Sequence, residues 1–139
     1  MVFGTIIRVE NQPEKIMSIS IRWYDEDHTI LYMAFEPGWT IQQWFEIVPQ
    51  VRAMLDSAGG PVSAIADYRR AEDYAPPGII GQLGVMSAAM QHHRLSGLMV
   101  FVGAVGFAAV VLDIFSQVYL RVHLAETVEE AEEIIHTRR

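Results

Sequence analysis

The residue types best suited to binding chemistry lie in one charged and aromatic segment, residues 67–78, which follows the third predicted strand. Arg69 and Arg70 could hold a carboxylate or a phosphate, and Tyr68 and Tyr74 would supply aromatic walls. The segment follows the carboxyl end of a parallel strand, where open α/β sheets place their ligands. It also precedes a helix whose free N–H groups favour an anion. The candidate binding residues are Asp67, Tyr68, Arg69, Arg70, Tyr74 and Gly78.

The same segment also fits a solvated loop that binds nothing. In that interpretation Arg69 and Arg70 pair with the neighbouring Glu72 and Asp73, at the modest energy of surface ion pairs. The glycines that follow add no phosphate chemistry, since their spacing matches neither a dinucleotide-binding fingerprint nor a P-loop. Close packing of the helix explains those glycines better.

The histidines and serines form no pattern typical of a catalytic or metal site. His92 and His93 are adjacent on a predicted helix, so their side chains should diverge by about 100° and not chelate one ion together. His28, His123 and His136 stand apart from them and from each other. The chain has no cysteine, which excludes a thiolate metal site or nucleophile, and no serine lies in a nucleophile elbow. We therefore predict no metal, no cofactor and no enzymatic activity.

A second hypothesis rests on methionine and phenylalanine side chains in the second half of the chain. Such side chains can line an adaptable pocket for an apolar ligand. Their helical and strand spacing is also that of ordinary core residues, which is the competing interpretation. The residues that would cluster, if the second and third helices pack on the fourth strand, are Met86, Met90, Met99, Phe101, Phe107 and Phe115.

Length, charge and hydropathy narrow the classes of protein. With 139 residues, 51% of them hydrophobic, the chain is long enough for one domain with its own core and too apolar for disorder. A net charge of −7 argues against general binding to nucleic acid or anionic membranes. The uncharged residues 95–112 are predicted as a buried strand and a helix, because a membrane span would have basic anchors beside it. The first residues lack the basic region of a secretory signal, so we expect a cytoplasmic protein.

Hydrophobic periodicity predicts nine alternating elements. A period of two begins at Met17, and a capping-box pattern of Thr40 and Gln43 starts the first helix, which Pro49 should kink or break. A second capping box, Thr127 with Glu130, opens the last helix. The remaining predicted elements are strands 29–35, 61–68, 98–102 and 119–124, and helices 78–93 and 106–117.

The order β-β-α-β-α-β-α-β-α predicts an α/β fold. Strands that alternate with helices imply right-handed crossovers, so the sheet should be mostly parallel with an antiparallel edge and helices packed against it. We expect one domain over residues 1–139, with a core of about 16–136.

Several motifs in this order are shared with a known family. They are Ile21-Arg22-Trp23-Tyr24-Asp25-Glu26 followed by Thr29-Ile30-Leu31, the Trp39-Thr40 helix start, Asp67 at the end of the third strand, and Glu126-Thr127-Val128-Glu129-Glu130-Ala131. Together they resemble the SpoIIAA-like group of STAS/SEC14-type domains over nearly the whole chain. The resemblance implies a small α/β module without established catalysis, with anti-sigma-factor antagonists, transporter regulatory domains and, more distantly, lipid-transfer folds among its relatives.

The chain departs from the anti-sigma relatives at the phosphorylation site. Those relatives carry a phosphoacceptor Ser or Thr at the start of the helix after the third strand, whereas residues 64–86 contain neither residue type. We therefore expect the phosphorylation switch to be absent.

The sequence predicts a non-catalytic interaction or regulatory module that docks a protein partner through loop 67–78 and the second helix. The alternative is a carrier or sensor of a small apolar or lipid-like ligand. A closed core would favour docking, and an open apolar cavity on the order of several hundred Å³ would favour the carrier. Self-association across a two-fold axis, through the hairpin edge or an apolar helix face, is a further hypothesis.

Overall fold

The computed structural model describes residues 18–118 and 122–138, and there the chain forms a five-stranded sheet with four helices. The strands are β1 (Ile19–Trp23), β2 (Ile30–Phe35), β3 (Val62–Asp67), β4 (Leu95–Val102) and β5 (Val122–Ala125). The helices are α1 (Ile41–Ser57), α2 (Ile79–Met90), α3 (Gly106–Val118) and α4 (Val128–Arg138). The predicted α/β class and element order are confirmed. Met17 and residues 119–121, which were included in the predicted first and fifth strands, lie outside the described residues.

The sheet has the sequential order β1-β2-β3-β4-β5, in which only β1 and β2 are antiparallel. Three crossovers advance in the same direction, and because each is right-handed they place α1, α2 and α3 on one face. The main core lies between this face and those three helices. A smaller core lies on the opposite face, where α4 packs against the sheet.

Helix α1 begins where the capping box predicted. The Thr40 hydroxyl accepts a hydrogen bond from the Gln43 N–H, and the Gln43 side chain accepts one from the Thr40 N–H, both at 3.0 Å. The expected break at Pro49 is absent, since α1 continues to Ser57. Pro49 lies on the exposed side of the helix, where water can bond the carbonyl that its missing N–H leaves without a partner.

Two boundaries differ from the prediction by three residues. Strand β4 begins at Leu95, which pairs with Val62 across a register shift in the ladder. Helix α2 ends at Met90, three residues earlier than predicted, and at this end the Arg52 guanidinium donates to the carbonyls of Ala89 (3.2 Å) and Gln91 (2.6 Å). His92 and His93 therefore lie beyond the helix.

The alternation of side chains along β3 places consecutive residues on opposite faces of the sheet. Ala64 and Ala66 belong to the main core, and Ile65 belongs to the core under α4. Asp67 ends the strand and meets Tyr32 of β2, while Tyr68, the first residue beyond it, packs in the main core. The Asp67 carboxylate therefore lies on one side of the sheet and the Tyr68 phenol on the other.

Candidate functional site

Asp67 is buried at the carboxyl end of β3, with 7% of the residue exposed. Its Oδ1 accepts from Arg69 Nε at 2.9 Å and its Oδ2 accepts from Arg69 Nη2 at 2.7 Å. The Tyr32 hydroxyl donates to the same carboxylate. Burial alone would raise the pKa of Asp67, but the hydrogen bonds from Arg69 and Tyr32 outweigh it and hold that pKa below its usual value.

Arg70 points away from this cluster. Its Nε donates to Oε1 of Glu36 at 2.7 Å, and 77% of the Arg70 side chain is exposed. The ion pairs predicted for the solvated-loop interpretation are therefore wrong, since Arg69 pairs with Asp67 and Arg70 with Glu36. Arg69 turns back to the last residue of its own strand β3, and Arg70 meets Glu36, which directly follows the neighbouring strand β2. Asp67 binds the Arg69 guanidinium, and both arginine side chains are exposed, Arg69 by 53% and Arg70 by 77%.

Tyr68 faces inward and forms a closed set of hydrogen bonds. Its hydroxyl accepts from the Trp39 indole N–H at 2.7 Å and donates to the Tyr74 carbonyl. The Tyr74 hydroxyl in turn donates to the Trp39 carbonyl at 3.0 Å. Burial raises the pKa of Tyr68 to about 12. The expectation that Tyr68 walls a surface site is thus wrong, because its ring belongs to the interior.

Gly78 contributes a backbone conformation. It is the N-cap residue of α2 with φ of 79°, in the left-handed region that glycine adopts without strain. The N–H of Ile79, the first of the helix, donates to the Pro76 carbonyl at 3.2 Å. One of the N–H groups that were predicted to bind an anion at this helix start is therefore already bonded to a carbonyl of the chain.

The β3–α2 loop, residues 68–78, packs tightly against the turn between β4 and α3. A Cβ placed on Gly103 would lie 2.5 Å from Arg69 Cγ, and one on Gly106 would lie 2.9 Å from Asp73 Cβ. The N–H of Val105 donates to the Glu72 carbonyl at 3.3 Å. Glu72 itself has φ of 56°, an uncommon conformation for a residue with a side chain. The loop therefore packs closely against the backbone of Gly103 and Gly106.

An apolar cavity of about 100 Å³ lies between the sheet and helices α2 and α3, which is smaller than the several hundred Å³ that the carrier hypothesis predicted. Four methionines line it: Met33, Met86, Met90 and Met99. Six aromatic residues line it as well: Phe35, Trp39, Trp44, Tyr68, Phe101 and Phe115. The other seven lining residues are alanine, valine, leucine or isoleucine.

The predicted methionine and phenylalanine cluster is confirmed for five of its six members. Phe107 is the exception, since it lies on the outer side of α3 and is 51% exposed. The sequence-based cluster omitted Met33 and Phe35, which alternate on β2 and so share its core face. It also omitted the tryptophans near the start of α1.

The histidines after α2 differ from their predicted arrangement. The rings of His92 and His93 are stacked at 4.6 Å between centroids, because both follow the end of the helix, where the 100° divergence no longer applies. His92 Nδ1 accepts from the Arg94 N–H at 3.1 Å, and its Nε2 lies 2.7 Å from Asp56 Oδ1. Among residues 18–118 and 122–138, no group of three or more His, Asp or Glu side chains could hold a metal ion.

The fold and the cavity define a small α/β domain with an apolar interior site. Searches against protein-family models, curated proteins and solved structures find no match to this chain. In the part of the chain that the structure describes, no helix is both long and apolar enough to cross a membrane.

Proposed function

We propose that this chain is a non-catalytic module that binds a small apolar molecule in the cavity between the sheet and helices α2 and α3, as a carrier or a sensor. The observation that supports the proposal is the apolar lining of that cavity, in which the polar side-chain groups other than thioether sulfurs belong to Trp39, Trp44 and Tyr68. Ligand pockets are typically concave and mostly apolar in this way.

The open volume is itself unfavourable for an empty protein. Protein interiors are close-packed and hold few voids larger than a water molecule. At about 24 cal/mol per Å³, a void of 100 Å³ corresponds to about 2 kcal/mol of lost packing. An apolar ligand would restore those contacts, and the unbranched methionines can adjust to its shape.

A route into the cavity is supported by the packing of the helices. The backbones of α2 and α3 approach each other less closely than those of α1 and α2. Leu112, Phe115 and Phe101 line the cavity and are partly exposed, whereas most other lining residues are buried. We therefore expect the ligand to enter beside α3.

The test combines native mass spectrometry of the purified chain with NMR titrations of benzene and hexane. The variant Ala108→Leu fills the cavity, because Ala108 is a buried lining residue on α3. Ala53→Leu makes the same change on the exposed side of α1 and serves as the control. We expect Ala108→Leu to weaken binding by at least about tenfold, or 1.4 kcal/mol, and Ala53→Leu to leave it unchanged. Equal binding by both variants would contradict the proposal, as would the absence of binding to the wild type.

A second proposal is that the β3–α2 loop docks a protein partner. It is supported by Val105 in the turn that contacts the loop and Phe107 at the start of α3, which are 53% and 51% exposed, and by the exposed Arg70 in the loop itself. Such a surface fits a partner that presents an acidic side chain beside apolar ones. Phe107→Ser should lower the affinity for a purified partner by at least about tenfold. Val118→Ser, an exposed control on the same helix, should leave that affinity unchanged. Equal effects of the two variants would exclude docking here.

The SpoIIAA-like resemblance and the cytoplasmic location accompany either function as predictions. Both depend on the motifs and composition of the sequence. The absence of Ser and Thr from residues 64–86 likewise supports a function without a phosphorylation switch there.

A further inference from the structure

We propose that the cavity binds the end of an unbranched alkyl chain, and that the rest of that chain lies in an apolar groove between helices α2 and α3. The inference rests on the proposed function, since it names the ligand class and adds a second binding surface to the same site. It follows from the directions in which the two helices present their exposed apolar side chains, and from the small volume of the cavity.

The contact between α3 and β5 shows which way each flank of α3 faces. Ser116 directly follows Phe115, which lines the cavity, and its hydroxyl accepts a hydrogen bond from the Val122 N–H of β5 at 3.2 Å. Successive residues of an α-helix are about 100° apart. A residue that follows a core-facing residue of α3 therefore faces β5, and a residue that precedes one faces the opposite way.

The exposed apolar side chains of α3 lie on the flank that faces α2. Phe107 and Val110 each directly precede a buried residue of the helix, so they point away from β5. Helix α2 lies on that side, because α2 joins β3 to β4 and α3 joins β4 to β5 on the same face of the sheet.

The opposite wall is the flank of α2 that faces α3. The two helices run in the same direction, since each returns from the end of one parallel strand to the start of the next. The same rotation therefore turns residues that follow a buried residue of α2 towards α3. Ile80, Gly84 and Ser87 each directly follow such a residue.

The facing flanks stand apart and leave an apolar groove, whose walls are Ile80, Gly84 and Ser87 on α2 and Phe107 and Val110 on α3. Its three large apolar side chains are about half exposed, which they would not be if the helices packed against each other. Strand β4 runs beneath this groove, because both helices connect to it. The β4 residue that lines the cavity and is partly exposed, Phe101, lies there as well. The groove therefore lies directly above the cavity.

The volume of the cavity favours a chain over a larger compact ligand. The cavity holds about 100 Å³, whereas an engineered cavity of about 150 Å³ in another protein binds one benzene molecule. An unbranched chain can fill the small space with its end and continue along the groove, where each further buried methylene group is favourable. A polar group at the other end of the chain would stay in water.

The experiment compares 1-hexanol with 1-decanol on the full chain by NMR titration. We expect the wild type to bind decanol at least about tenfold more tightly than hexanol, because the additional methylene groups lie against the groove walls. Val110→Asp places a charge in the groove and should lower the ratio of decanol to hexanol affinity by at least about fivefold.

Val85→Asp is the matched control for Val110→Asp. Val85 is 56% exposed and Val110 is 54% exposed, so the same change is made at the same degree of exposure. Val85 directly precedes a buried residue of α2 and therefore lies on the flank turned away from α3. We expect Val85→Asp to leave the ratio of affinities unchanged.

The outcomes separate this inference from the proposed function. If the wild type binds decanol no more tightly than hexanol, or if both variants change the ratio equally, the groove inference is overturned while the cavity remains a site for benzene and hexane. If the wild type binds none of these four probes, the proposed function itself fails. Intermolecular NOEs from the decanol chain to the methyl groups of Val110, and not to those of Val85, are expected in the wild type. Their absence would overturn the inference even if Val110→Asp does not fold.

Discussion

Replacing Gly103 by alanine should destabilise the protein through two effects that can be separated. Gly103 has φ of 79°, in the left-handed region, where a residue with a side chain is strained. A Cβ built on it would also lie 2.5 Å from Arg69 Cγ and 3.0 Å from Arg69 Cα. Because the second contact is with backbone, a rotation of the Arg69 side chain cannot relieve it.

The expected loss follows from adding the two effects. The left-handed conformation costs about 1–2 kcal/mol for a non-glycine residue. Forcing an extra carbon into a closely packed position adds about 1–3 kcal/mol, because the β3–α2 loop must shift and disturb the pair between Arg69 and Asp67. We expect Gly103→Ala to lower the free energy of unfolding by about 2–5 kcal/mol.

Urea unfolding followed by tryptophan fluorescence measures this loss. Gly81→Ala is the matched control, because Gly81 lies inside α2 and a Cβ added to it would meet nothing within 4 Å. We expect that control to stabilise the protein by about 0.5–1 kcal/mol, since alanine is the better helix former. In an Arg69→Ala background the Gly103→Ala penalty should shrink, because the closest atom is gone. A loss below about 1 kcal/mol for Gly103→Ala would refute the steric reasoning.

Three further predictions concern the residues around the loop and α1. The pKa of Asp67 is lowered in the folded state, so its stabilisation is present above the ordinary value of 3.8 and is lost as pH falls through the folded-state pKa. In a pH series of urea unfolding, the stability gap between wild type and Asp67→Asn should therefore close below 3.8; a gap independent of pH would contradict this. Thr40→Ala should cost about 1 kcal/mol by removing the N-cap of α1, and Thr40→Ser should restore most of it in the same assay. Arg70→Ala should leave the urea midpoint of unfolding close to that of the wild type, because the Arg70 side chain is exposed and its pair with Glu36 is screened by water; a clearly lower midpoint would show that Arg70 is a structural residue.

The sequence was sufficient for the fold because its local signals agree with one another. Both Thr40 and Thr127 cap the helices that they were predicted to start. The alternation of apolar residues identified the strands, and a helix between successive strands required parallel crossovers. Boundaries were less well determined, as at Met90, where α2 ends and Arg52, distant in sequence, donates to the carbonyls of Ala89 and Gln91.

The partner of Arg70 could not be read from the sequence for a topological reason. The pair between Arg70 and Glu36 forms because β2 and β3 are parallel neighbours, with Ala34 opposite Asp67. That register brings the residue two positions after Ala34 beside the start of the β3–α2 loop. Periodicity gives the order of elements along the chain but not which strands are adjacent, so neighbours in sequence were the natural prediction.

The sequence predicted many of the residues that line the cavity but not that the space between them would be left open. Spacing determines which side chains face the core, and it brought together Met86, Met99 and Phe115 as expected. Whether facing side chains fill the space depends on their summed volume and on how far apart the helices stand, and a sequence pattern contains neither quantity. Small residues such as Ala66 and Ala108 on opposite sides of the same space leave it unfilled.

The cavity and the loop meet within three consecutive residues, so the two proposed functions are connected. Asp67 binds Arg69 on one side of the sheet, and Tyr68, between them, forms part of the cavity wall on the other. A ligand that contacts the Tyr68 ring also contacts the segment that sets the position of the loop. It can shift that position only if it binds one loop arrangement more tightly than another. A sensor requires this difference in affinity, whereas a carrier does not, and the tight contact between Gly103 and Arg69 favours a single loop arrangement. The geometry therefore favours a carrier, unless ligand binding is strong enough to displace Arg69 from Gly103.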